Sequence, residues 1–163
     1  MSEVSMLDTL RSVEFFHDIG DEHLAKLAKI AKIVEFPANT NIFREHDTAR
    51  EMYLIISGQV SLIICERRVG CRQLMEVGDG ELIGWSPLVS RPRLSDTART
   101  LTPTKAIAFD GEQALEFCRE DPQFGFEFMC RVAQVLSQRL SATRMKLLEM
   151  SGFQLPDVRL ESD

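Results

Sequence analysis

The chain has 163 residues and a net charge of −6, with 44% apolar and 27% charged residues. That length supports one domain with a real core and leaves little for a second, and the acidic balance does not advertise nucleic-acid binding. No apolar run approaches the roughly 20 residues a membrane span needs. The start, Met1 to Ser12, lacks the basic segment and apolar stretch of a secretion signal, so the expectation is a cytoplasmic protein with no membrane partner.

The first segment, residues 1–32, reads as helical. Leu7, Leu10 and Val13 have helical spacing, and Asp21 is placed to cap a second helix with Leu24, Leu27, Ala28 and Ala31 on its apolar face. Lys26, Lys29 and Lys32 then fall on the solvated side of that helix. From residue 33 to 110 the pattern becomes strand-like. Ile33 to Phe36 stops at Pro37, and Asn41 to Glu45 forms another short run. The strongest β signal is MYLIISGQVSLIIC, where Ser57-Gly58 separates two runs of large apolar residues. Gln73 to Val77, Arg99 to Thr102 and Thr104 to Phe109 complete the set. Several short strands with no helices between them indicate an antiparallel barrel or sandwich.

Residues 111–151 return to helix. Gln113 to Arg119 is a short one, and Asp121-Pro122 is a start signal, a capping carboxylate followed by proline at the first helical position. Neither glycine nor proline occurs between Gly125 and Gly152. Met129, Ala133, Leu136, Leu140, Thr143, Leu147 and Met150 are spaced four and three apart, a heptad seam that predicts a homodimer interface. Phe124, Phe128, Val132 and Val135 form a second stripe for the chain's own core. Residues 152–163 read as a flexible tail.

Chemistry is concentrated in the stretch 78–99, GDGELIGWSPLVSRPRLSDTAR. Its glycines allow backbone N–H groups to approach an anion, and a helix starting just after them would aim its positive end at the same point. No nucleophile–base pair, metal-ligand spacing or phosphate-binding loop of the nucleotide hydrolases is present, so no enzyme and no metal is expected. Glu112, Glu116 and Glu120 read as a solvated stripe. The four cysteines include no C-x-x-C pair. Cys65 and Cys71 flank a predicted hairpin turn, but the reading preferred here is reduced thiols throughout.

The order of these elements, with Tyr53-Leu54-Ile55, Gly58, Val60, Gly78-Asp79-Gly80, Ile83-Gly84 and Leu88, resembles the cyclic nucleotide-binding domain family. The likeness is greatest to the sensor half of the bacterial catabolite-activator and fumarate-nitrate regulators. It covers about residues 10 to 150 and implies an α+β fold: a double-stranded β-helix, or jelly-roll-like β roll, with N-terminal helices and a long C-terminal dimerisation helix. It makes the segment at 84 to 97 a phosphate-binding cassette. In the family a glycine–glutamate pair reads the ribose and an arginine pairs with the cyclic phosphate. Here Gly84 is followed by Trp85, Arg93 stands one or two residues early, Leu94 or Ser95 takes the arginine position, and Asp96 puts a negative charge where a phosphate would sit.

The resemblance implies a ligand site formed by Gly84, Trp85, Ser86, Leu88, Arg93, Ser95, Thr97 and Thr143. Trp85 has two roles open to it, stacking on a base or filling the pocket. Thr143, in the segment Gln138 to Thr143, falls where a threonine bonds a purine amine and also lies in the heptad seam. The expected function is a regulatory sensor that binds a small anionic ligand, with cAMP and cGMP as candidates and no other cofactor, and relays it through a dimer helix. The alternative is a degenerate dimerisation or protein-interaction module of the same fold. Only about a dozen residues follow Met150, too few for a helix-turn-helix, so no direct nucleic-acid contact is expected.

Overall fold

Alternation along the strands divides the core in two. The computed structural model describes residues 3–89 and 91–160. Met1, Ser2, Ser90 and positions 161–163, where the expected N-terminal segment begins, the cassette loop passes and the tail ends, lie outside the described residues. Helices α1 (Glu3–Ser12) and α2 (Asp21–Ala28) flank a 3-10 turn at Glu14–Phe16. Eight strands follow: β1 (Ala31–Phe36), β2 (Asn41–Phe43), β3 (Glu51–Ser57), β4 (Val60–Glu66), β5 (Gly70–Val77), β6 (Leu82–Ile83), β7 (Thr97–Thr100) and β8 (Thr104–Asp110). Helices α3 (Gly111–Glu120) and α4 (Pro122–Ser151) complete the chain before a 3-10 turn at Gly152–Gln154.

The strands form two four-stranded antiparallel sheets, ordered β1-β8-β3-β6 and β2-β7-β4-β5. This is the double-stranded β-helix with helices that the sequence implies. Because side chains alternate faces along a strand, β3 sends Met52 and Leu54 to a cluster shared with the helices, and Ile55 and Tyr53 to a second cluster between the sheets. β6 divides likewise, with Leu82 in the first cluster and Ile83 in the second. The sheet containing these strands is therefore apolar on both faces, which explains the near-continuous apolar runs MYLII and AIAF.

The first cluster gathers Leu10, Phe16, Leu24, Leu27, Phe109, Phe124, Phe128 and Val132. The stripe expected to pack α4 on the chain's own core thus does so. Asp121 Oδ1 accepts from the Phe124 amide at 3.3 Å and Pro122 opens the helix, as the cap signal predicts. Met129 and Leu136 of the heptad seam lie against this same cluster. Farther along α4, Leu140, Leu147 and Met150 are exposed at 60%, 52% and 75%.

Several boundaries differ from expectation. α2 stops at Ala28 and Ala31 opens β1, paired with Phe109 of β8. Lys32 therefore lies on a strand, 2.9 Å from Glu51, and does not continue a helical lysine face. Sheet pairing overrode a helical spacing that ran on past the helix. The β4–β5 hairpin sets Cys65 directly opposite Cys71, and the two form a disulfide, with Cys118 and Cys130 free. This overturns the reading of four reduced thiols, because strand register brings the two sulfurs together.

Candidate functional site

The glycine-rich turn at 78–81 spends its backbone donors internally. The Gly78 N–H donates to Glu81 Oε2 at 2.6 Å, and the Gly80 N–H to the Ile55 carbonyl at 2.7 Å. Asp79 Oδ1 accepts the Gly58 N–H at 3.0 Å, fixing this turn to the bend between β3 and β4. Gly58 has φ +125, and a Cβ there would stand 2.4 Å from Thr104 Oγ1. The turn is thus a fastening between strands, its donors taken up by the chain's own Glu81 and Asp79 carboxylates and the Ile55 carbonyl. The expected helix after the glycines is a 3-10 turn, Ser86–Val89, too short to contribute a helix dipole of consequence.

Gly84 is fixed by geometry. Its φ is +74, and a Cβ would stand 2.9 Å from the Glu51 carbonyl oxygen. The residues after it are parted by the sheet. Trp85 is half-buried against the helix-facing cluster, where Leu88 is also buried. Trp85 is therefore not the residue that fills the roll. Leu94 fills it, 6% exposed among Phe43, Ile55, Val60, Leu62, Ile83 and Ala98. Phe43 and Tyr53 stack beside it with centroids 6.1 Å apart. A cleft of about 440 Å³ opens against Leu94, lined also by Phe43, Asp47, Arg50 and Tyr53. The Tyr53 hydroxyl donates to Glu51 Oε2 at 3.1 Å, and burial raises its pKa well above the usual phenol value.

The loop carrying Leu94 is laced to the loop before β3. The His46 N–H donates to the Leu94 carbonyl at 2.9 Å, and the Leu94 N–H donates to the Asp47 carbonyl at 2.9 Å. Arg93 Nη1 donates to the His46 carbonyl at 2.8 Å, so this exposed arginine closes the loop and does not turn into the roll. Thr97 Oγ1 accepts the Glu45 N–H at 2.9 Å. Ser95 is exposed and Ser86 is buried. Thr143 is exposed on α4 and bonds back to the Arg139 carbonyl at 2.8 Å. The structure therefore unites Arg93, Leu94 and Thr97 in one laced loop, and it places Trp85 and Leu88 on the other side of the sheet.

The residue that the sequence reading passed over is Arg139. It lies one helical turn before Thr143, on the same side of α4, and that spacing was the available signal. Its Nη2 donates to the Leu82 carbonyl oxygen, and its Nε is buried without a protein partner. Burial lowers its pKa, while Glu81 and Asp96 oppose the shift. Asp96 is its counterpart: burial raises the carboxyl pKa, Arg139 pulls it down and Glu45 adds to the rise. Glu81 and Asp96 thus flank the half-buried Arg139 guanidinium, with Glu45 acting on Asp96. Among the described residues, no group of three or more His, Cys, Asp or Glu side chains is placed to hold a metal ion.

Two antiparallel sheets, a glycine-anchored turn into the loop at 84–97 and a long helix tied to β6 are the architecture of a β roll with a C-terminal helix. The model of the cyclic nucleotide-binding domain matches residues 33–121, and the chain belongs to that family. It is 23% identical over 154 residues to the CRP-like cAMP-activated global transcriptional regulator of Mycobacterium tuberculosis, covering 93% of this chain and 66% of the relative. The chain therefore spans a little under two thirds of the curated relatives it matches. Among solved structures, the Thermus thermophilus catabolite activator protein has 26% identity and a TM-score of 0.67, over 84% of this chain and 62% of that one. A cyclic nucleotide-binding domain from Methylobacillus flagellatus shares the fold, with a TM-score of 0.78 at 19% identity, over 96% of this chain and 86% of the other.

Proposed function

We propose that the chain is a regulatory module that senses a small molecule in its β roll and passes the state of the roll to a homodimer of α4 helices. The bond from Arg139 to the Leu82 carbonyl carries this reading. It ties the helix to the short strand that delivers Gly84, so a ligand that moves the cassette also moves α4. Met129, Ala133, Leu136, Leu140, Thr143, Leu147 and Met150 form the dimer seam in this reading. The role is regulatory; no catalysis, membrane contact or direct nucleic-acid contact is assigned to these residues.

The ligand is constrained by the polar interior. Compared with a site holding both a ribose-reading glutamate and a phosphate-pairing arginine, this one lacks two charged hydrogen bonds. At about 1.5–3 kcal/mol each, cAMP and cGMP should bind about 10²- to 10⁴-fold more weakly. Gly84, Ser86, Arg93, Ser95, Thr97 and Thr143 remain the proposed ligand residues, reached once the loop at 91–97 moves, whereas Trp85 and Leu88 leave the expected set because they pack toward the helices. A second reading is favoured by Leu94, whose side chain already occupies the roll: a dimerisation or protein-docking module that needs no ligand. Titration calorimetry with cAMP and cGMP, beside light scattering for mass, tests both. Saturable heat with either nucleotide supports sensing. No heat at millimolar nucleotide with a stable dimer supports the second reading, and no heat with a monomer overturns both.

A further inference from the structure

We propose that the Cys65–Cys71 disulfide is a thiol–disulfide exchange site whose state sets how tightly the Leu94 loop is held in the roll. The two cysteines lie opposite one another near the outer end of the β4–β5 hairpin, and both are exposed. Exposed disulfides are the ones open to exchange with small thiols. A dithiol reductant reaches these sulfurs without the roll unfolding.

The exchange is a two-electron step. One thiolate of the reductant attacks a cysteine sulfur, and the other cysteine leaves as thiolate and takes a proton. The second thiol of the reductant then displaces the remaining cysteine. The protein gains two electrons and two protons, and the reductant becomes its own disulfide.

The consequence follows from what the hairpin holds. The Cys65 N–H donates to Glu45 Oε2 at 3.1 Å. The Glu45 N–H in turn donates to Thr97 Oγ1 at 2.9 Å, and His46, next in the chain, takes the Leu94 carbonyl and the Arg93 guanidinium. The Ala49 N–H closes the lacing on the Pro92 carbonyl at 3.1 Å. A covalent staple thus lies one hydrogen bond from the loop pair that seats Leu94. With the staple cut, the hairpin end frays as exposed strand ends do. The Cys65 amide then holds Glu45 for less of the time, and the loops at 44–49 and 92–97 open more often.

The test is amide hydrogen exchange on the native protein, as purified and after dithiothreitol, with thiols trapped and counted by alkylation in denaturant. Cys118 and Cys130 are the free cysteines, so the count should rise from two to four. Exchange in 44–49 and 92–97 should quicken at least threefold, with α1 and α3 unchanged. The double variant Cys65→Ser/Cys71→Ser should show the faster exchange without reductant and no response to it. Should that variant fail to fold, the reductant series on the native chain decides alone. Four labelled thiols in protein equilibrated with oxidised glutathione would overturn the proposal. So would unchanged exchange at 44–49 and 92–97 after full reduction.

Discussion

Arg139 on α4 donates its Nη2 hydrogen to the main-chain carbonyl of Leu82, the residue that begins β6 two positions before Gly84. A charged donor on a carbonyl is worth about 1.5–3 kcal/mol. Here it also supplies positive charge beside Glu81 and Asp96. Arg139→Leu should therefore lower stability by about 1.5–3 kcal/mol, read from urea denaturation. Arg139→Lys should restore part of the loss, because an ammonium supplies charge without the planar fork. Equal loss in both variants would show that charge contributes nothing there.

Leu94→Ala should cost about 2–5 kcal/mol, the range for truncating a buried leucine. It removes atoms from the cluster between the sheets and should leave the proposed α4 dimer unaffected. The same variant is the one to titrate with cAMP and cGMP, since it vacates the space that the proposed ligand would enter. A loss under about 1 kcal/mol would mean that the loop relaxes into the gap.

Asp96 gives a pH signature. Burial holds its folded-state pKa above the ordinary value of 3.8, against the pull of Arg139. A carboxyl with a raised folded value favours the fold while protonated. Its contribution is fully present below the ordinary value and is lost as pH rises through the folded one. Asp96→Asn should therefore gain stability relative to the native protein as pH rises above the ordinary carboxyl value of 3.8, measured as melting temperature across an acid-to-neutral series. A gap that stays flat with pH would remove burial as the dominant influence.

Gly84→Ala places a side chain at φ +74, with its Cβ 2.9 Å from the Glu51 carbonyl oxygen. The left-handed conformation alone costs about 1–2 kcal/mol, and the close approach adds to it. The expected result is a drop in urea midpoint, together with faster amide exchange in β6. A neutral outcome would mean that the backbone at 84 can move freely.

Leu140 and Leu147 are exposed on a single chain, so charging them leaves the monomer core intact. Leu140→Asp with Leu147→Asp should yield a folded monomer by light scattering, with an unchanged far-ultraviolet spectrum. A persisting dimer would place the interface elsewhere.

The sequence alone determined the architecture. Strand alternation, the Asp121-Pro122 start and the apolar stripe Phe124, Phe128 and Val132 each encode a local preference that packing then satisfied, and the order of elements resembled the right family. The site was legible only as a location. Gly84 could be read because left-handed backbone demands glycine. The absence of a glutamate at Trp85 could be read because one residue defines it. Partners that meet across long loops were not legible. Which cassette side chain fills the roll depends on which face of a twisted sheet each residue meets, and one position separates the two outcomes, so Trp85 turned to the helices and Leu94 to the interior. Arg139 reaches Leu82 across 57 positions. Periodicity records what lies along one element, whereas these contacts were decided by how separate elements were brought together.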